Sequence, residues 1–127
     1  MSEVRSVRHG FQYVVLRCVP RVDREEFVNV GVVLYCQGAD FLCSASRLHQ
    51  ARLLALAPEL DLDATRSALA AIEAVCRDQP ATGTSLGQRF GWLAAPRSTV
   101  IQPGPIHGGV TEDPARQLRH LVQTLIG

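Results

Sequence analysis

Phe27-Val28-Asn29-Val30-Gly31-Val32-Val33-Leu34-Tyr35-Cys36 is the stretch that decides the fold. β-Branched and aromatic residues dominate it, and such side chains pack well on a pleated surface. Alternation assigns Val28, Val30, Val32, Leu34 and Cys36 to one face and Asn29, Gly31, Val33 and Tyr35 to the other. Both faces are largely apolar, so the run is expected to be an inner strand. Gly31 breaks the pattern. Inside a strand it gives up packing and backbone entropy, so it marks a bulge or the close approach of another group.

The neighbouring segments extend this strand into a sheet. Upstream, Phe11 to Val19 is a second strand-forming run that stops at Pro20. Its parity places Val14, Leu16 and Cys18 on one face and Tyr13, Val15 and Arg17 on the other. A charged connector, Arg21 to Glu26, joins the two runs. Downstream, Gln37-Gly38-Ala39-Asp40 supplies turn residues before a third short strand, Phe41 to Ala45. Short links of this kind produce an antiparallel meander.

Helices follow. Arg47 to Ala57 is helical in propensity, with Ser46 as its expected N-cap and Pro58 as its stop. Asp63 is placed to cap a second helix over Ala64 to Arg77, where Ala68, Leu69, Ile72, Val75 and Cys76 form one apolar stripe. Asp113-Pro114 opens a final helix with the stripe Leu118, Leu121, Val122, Leu125 and Ile126. Between these helices, residues 81–109 are rich in glycine and proline and read as irregular, apart from a short strand at Thr99 to Gln102. The expected fold is α+β. It has a three-stranded N-terminal meander plus a later strand in one antiparallel sheet, with about three helices packed on it. Residues 1–127 read as one domain with a polar tail at 1–10.

Composition narrows the function. In 127 residues, 46% are hydrophobic and 20% charged, which is globular and not disordered. A net charge of +1 removes any strong bulk attraction to nucleic acid or anionic lipid. The start has no apolar core, and no run approaches the ~20 residues of a membrane helix, so a cytoplasmic location without membrane contact is expected. Cys18, Cys36, Cys43 and Cys76 form no CxxC pair and are read as small buried hydrophobes, with no metal site among them.

Catalytic signatures are absent: there is no Walker loop, GxGxxG, HExxH or GxSxG. No catalytic residue and no cofactor is assigned. A candidate ligand-binding set remains. Arg97 offers a guanidinium fork suited to phosphate or carboxylate, with the hydroxyls of Ser98 and Thr99 beside it. His107 is followed by Gly108-Gly109, which lets backbone approach a ligand. Asn29, a polar residue in an inner strand, needs a partner or lines a pocket. Each also has a bland reading, as an ion-pair partner, a strand start, an exposed turn residue and a tie between loop and sheet. Arg5, Arg8, Arg17, Arg21 and Arg24 crowd the start and suggest a nucleic-acid footprint, which Glu25, Glu26 and the near-neutral total charge oppose.

A resemblance joins these pieces. Tyr13-Val14-Val15-Leu16-Arg17-Cys18-Val19-Pro20, the block Glu26-Phe27-Val28-Asn29-Val30-Gly31-Val32-Val33-Leu34, Phe90-Gly91-Trp92-Leu93 and Arg97-Ser98-Thr99-Val100-Ile101-Gln102 resemble the bacterial family known as domain of unknown function 3037. The resemblance runs from about residue 11 to 126 and brings no established activity. It implies a HipA-type kinase-like protein, often encoded beside members of the family, as a partner. The expected role is therefore an accessory protein-interaction domain. A small enzyme or anion-binding module built on residues 96–109 is the alternative, and a nucleic-acid binder the third reading.

Overall fold

The computed structural model describes residues 7–77 and 84–127. Residues 1–6, with Arg5 and most of the polar tail, and residues 78–83, where the glycine- and proline-rich stretch begins, lie outside the described residues. Five strands build one sheet: β1 (His9–Cys18), β2 (Val28–Cys36), β3 (Phe41–Ser46), β4 (Ile101–Pro103) and β5 (His107–Thr111). The order is β3-β2-β1-β4, and β5 also pairs with β1. Every pairing is antiparallel. β4 runs beside Leu16–Cys18 and β5 beside His9–Tyr13, so two short strands in tandem share one edge of β1. Among the described residues four α-helices complete the α+β fold: α1 (Gln50–Leu56), α2 (Leu62–Arg77), α3 (Leu86–Ala94) and α4 (Pro114–Leu125).

β2 lies between β1 and β3, as its apolar character demands. Its alternation, however, fails at one point. Leu16 faces Gly31, but Arg17 faces Asn29, so Val30 is an extra residue in the ladder. Its carbonyl accepts a hydrogen bond from the Arg47 N–H at 2.8 Å. The bulge inverts parity, which a one-residue slip must do. Val28 and Val30 therefore join the face of Val33 and Tyr35, while Val32, Leu34 and Cys36 hold the other. Gly31 meets a second demand beside the bulge. A Cβ there would stand 2.9 Å from the Ala45 carbonyl oxygen and 3.2 Å from Ser46 Cβ.

Helices cover both faces. Val14, Leu16, Cys18, Val30 and Val33 pack against Leu53 of α1, Leu69 and Ile72 of α2, and Phe90 and Leu93 of α3. On the opposite face Phe11, Val32, Leu34 and Cys36 lie under Leu118, Leu121 and Val122 of α4, with Ile126 just after it. Two expected caps move. α1 starts after His49, whose side chain gives no cap, rather than after Ser46. α2 is capped by Asp61, whose Oδ1 accepts from the Ala64 N–H at 3.0 Å, and not by Asp63. Asp113 caps α4 as its sequence indicates, accepting from the Arg116 N–H at 3.1 Å.

The stretch read as irregular carries three elements: α3, β4 and the start of β5. α3 is opened by a capping box, in which the Ser85 hydroxyl accepts from the Gln88 N–H and the Gln88 side chain accepts from the Ser85 N–H. It is also tied to α2. Arg89 is 7% exposed, and its Nη1 donates to the carbonyls of Val75 at 2.8 Å and Cys76 at 3.2 Å. These belong to the last turn of α2, where carbonyls lack helical partners and carry partial negative charge. Arg89→Met should therefore cost about 2–3 kcal/mol, since charge-assisted bonds to buried acceptors are lost. Urea unfolding is the measurement, and a loss below about 0.5 kcal/mol would contradict the clamp.

Candidate functional site

The sequence-selected residues fall into two places. Arg97 follows α3 and folds back on it. Its Nη2 donates to the Trp92 carbonyl at 2.6 Å, and its guanidinium lies 4.8 Å from the centre of the Trp92 ring. Ala95 donates its N–H to the same carbonyl. Trp92, the one tryptophan of the chain, is 59% exposed. Thr99 turns inward to β4, donating its hydroxyl to the Ile101 carbonyl at 2.7 Å, while its own carbonyl accepts from Gln102 Nε2. Ser98 is exposed beside it. Arg97 is thus tied to α3, whose Phe90 and Leu93 pack on that face of the sheet, whereas Thr99 leads into β4 and meets Gln102.

His107 and Asn29 belong to the other face. His107 pairs in register with Tyr13, whose ring it stacks on at 5.2 Å between centroids, and Tyr13 packs at the edge of the α4 cluster. Asn29 faces Arg17 across β1 and β2. Gln102 is the opposite neighbour of Arg17, on β4. Asn29, Arg17 and Gln102 thus form a polar row across three strands, on the half of this face that α4 leaves incompletely covered.

Arg17 is the residue of that row with the most constrained setting. Its guanidinium carbon lies 4.2 Å from the centre of the Phe27 ring, and Phe27 is itself 45% exposed. Gly104 closes the other side: a Cβ there would stand 3.1 Å from the guanidinium carbon. Nε is buried and has no hydrogen-bond partner. Among the described residues no carboxylate pairs with Arg17, and the Asn29 amide makes no hydrogen bond either.

Two other N-terminal arginines are paired elsewhere. Arg8 pairs with Glu112 at 3.6 Å, and Arg21 pairs with Asp23 at 2.8 Å, both at exposed positions. Hydrogen bonding from Arg21 holds the Asp23 carboxyl below its ordinary value. The cysteines are free, and Cys18, Cys36 and Cys76 are buried. Burial pushes the Cys76 thiol up to about 11 and raises Cys18 and Cys43 as well, so none of these three favours the thiolate. Among the described residues no group of three or more His, Cys, Asp or Glu is arranged to hold a metal ion. No helix there is long and apolar enough to cross a membrane.

Two surface hollows avoid Asn29, Arg97, Ser98, Thr99 and His107. One, of about 540 Å³, lies between the β1–β2 connector and the α1–α2 turn, lined by Pro20, Arg24, Glu26, Leu56 and Leu60. The other, of about 440 Å³, sits at the start of α4 between Arg8, Thr111, Arg116 and His120. Both are rimmed by charges of both signs.

The sequence does not mark Trp92 as a site residue, and marks Arg17 only as one of the arginines of a nucleic-acid footprint. The signal for Trp92 was its place on the outer side of a capped helix, legible only once Ser85-Leu86-Gly87-Gln88 is read as a capping box. Arg17 needed the bulge, because that slip sets Asn29 beside it.

One family profile, described as Protein of unknown function (DUF3037), matches residues 13–126. No curated protein and no solved structure matches the chain.

Proposed function

The chain belongs to the DUF3037 family of proteins of unknown function, and from that premise we propose that it is a protein-interaction module anchored by Trp92. The observation that carries this reading is the Trp92–Arg97 pair. A tryptophan that keeps 59% of its surface in water exposes apolar area that a partner can bury. Arg97 supports it in advance, through the ring contact at 4.8 Å and the bond to the Trp92 carbonyl at 2.6 Å. An anchor already held in place loses less conformational entropy on docking, and tryptophan and arginine are the residues most enriched at interface hot spots. The complementary surface is a slot for the free edge of the indole, with an acidic group to meet the remaining Arg97 donors.

The candidate partner is the HipA-type kinase-like protein, which the resemblance alone supplies. Co-expression followed by size exclusion tests it. The wild-type chain should elute with the kinase-like protein at micromolar concentration, and Trp92→Ala should weaken the complex at least tenfold. Trp92 is exposed, so the melting temperature of that variant should stay within about 2 °C of wild type. Separate elution of the wild-type proteins would remove the partner; equal co-elution of Trp92→Ala would remove the anchor.

A further inference from the structure

We infer that Arg17 and Asn29 form an oxyanion-binding site for a carboxylate or phosphate group, on the sheet face opposite to α3 and independent of Trp92. Each of the two side chains is uncommitted, and the register makes them direct cross-strand neighbours. Arg17 is also immobilised. Phe27 lies under its guanidinium at 4.2 Å, and the missing side chain of Gly104 leaves the space into which the guanidinium fits. Fixing a long arginine side chain spends rotamer entropy before any ligand arrives.

The electrostatics point the same way. Nε has lost water without gaining a partner, whereas the terminal nitrogens keep solvent contact. A positive charge partly stripped of water, with no carboxylate beside it among the described residues, is completed by an external anion. A planar guanidinium presents two parallel N–H donors to such a group, and the Asn29 amide adds a third from the side. The flanking Gln102 spends one of its two Nε2 donors on the Thr99 carbonyl at 3.0 Å, which fixes its side chain beside the site. Tyr13 and His107, stacked four residues further up β1, extend the face with aromatic surface beyond the anion.

The test is titration of ¹⁵N-labelled protein with sodium phosphate and, separately, sodium acetate, against sodium chloride at matched ionic strength. The Arg17 Nε–Hε and Asn29 Nδ2 signals should shift saturably with at least one oxyanion and not with chloride. A response to phosphate alone assigns a phosphorylated ligand, and a response to acetate alone assigns a carboxylate. Phosphate at 20 mM should raise the melting temperature of the wild-type chain by about 7 °C if its Kd is near 1 mM. Arg17→Met should abolish that rise, whereas Trp92→Ala should retain it. Should Arg17→Met fail to fold, the Nε–Hε titration of wild type decides alone. Signals that move equally with chloride, or that do not move with either oxyanion, overturn the site.

Discussion

Val30→Asp is expected to lower the melting temperature of the chain by roughly 15 °C or more. Val30 is fully buried, packed into the cluster that α1, α2 and α3 form on the sheet. A carboxylate placed there has no cation to pair with and no water to solvate it, so it must stay charged at great cost or take up a proton. The expected loss is about 4 kcal/mol or more, against total stabilities of roughly 5–15 kcal/mol for domains of this size. Far-ultraviolet circular dichroism during a thermal melt measures it. Val110→Asp is the matched control, since Val110 is 64% exposed and should change the melting temperature by no more than about 2 °C. A cooperative Val30→Asp transition at the wild-type temperature would contradict the burial of the bulge.

The same chemical change should have opposite signs at two glycines. At Gly31 the added methyl would sit 2.9 Å from a backbone oxygen of β3 and 3.3 Å from Leu16 Cδ1. The oxygen belongs to the ladder and cannot swing aside, so β2 and β3 must separate locally. Gly31→Ala should cost about 2–3 kcal/mol, at the upper end of overpacking effects. At Gly91, inside α3, nothing lies within 4 Å of the added methyl. Gly91→Ala should stabilise by about 0.5–1 kcal/mol, because alanine loses less backbone entropy in a helix. Urea midpoints for the two variants should fall on either side of wild type. Two shifts in the same direction would mean that the close approach at Gly31 is absorbed elsewhere.

The meander was legible because local rules and tertiary demands agree there. Phe11–Val19, Phe27–Cys36 and Phe41–Ala45 each show strand composition bounded by turn chemistry, and β1, β2 and β3 occupy them within a few residues. β5 was hidden because it breaks strand preferences. His107-Gly108-Gly109-Val110-Thr111 has two glycines, and Gly109 is required by a neighbour: a Cβ there would fall 2.6 Å from the Phe11 ring. That demand comes from β1, about a hundred positions away, and no local pattern encodes it. Likewise Gly31 announced a bulge, but not which residue would be extruded. The parity of Val28 and Asn29 therefore could not be fixed, and with it the neighbour of Arg17. Of the ligand-binding set, Asn29 and His107 lie on the α4 face, while Arg97 is tied to α3 and Thr99 leads into β4.

The tandem arrangement of β4 and β5 has a consequence for self-association. A long, flat outer strand offers a row of unpaired amides on which another chain can template, the first step toward fibrous aggregates. Here that border is divided between a three-residue piece and a five-residue piece, with Pro103, Gly104 and Pro105 at the break. Proline has no N–H to donate, so an incoming strand meets its ladder interrupted near the middle. The glycines of β5 weaken the template further, since they offer no side chains for a zipper to grip. Composition that reads as irregular in the sequence thus guards one border of the sheet, and keeps that edge of β1, with its apolar runs, out of reach of neighbouring molecules.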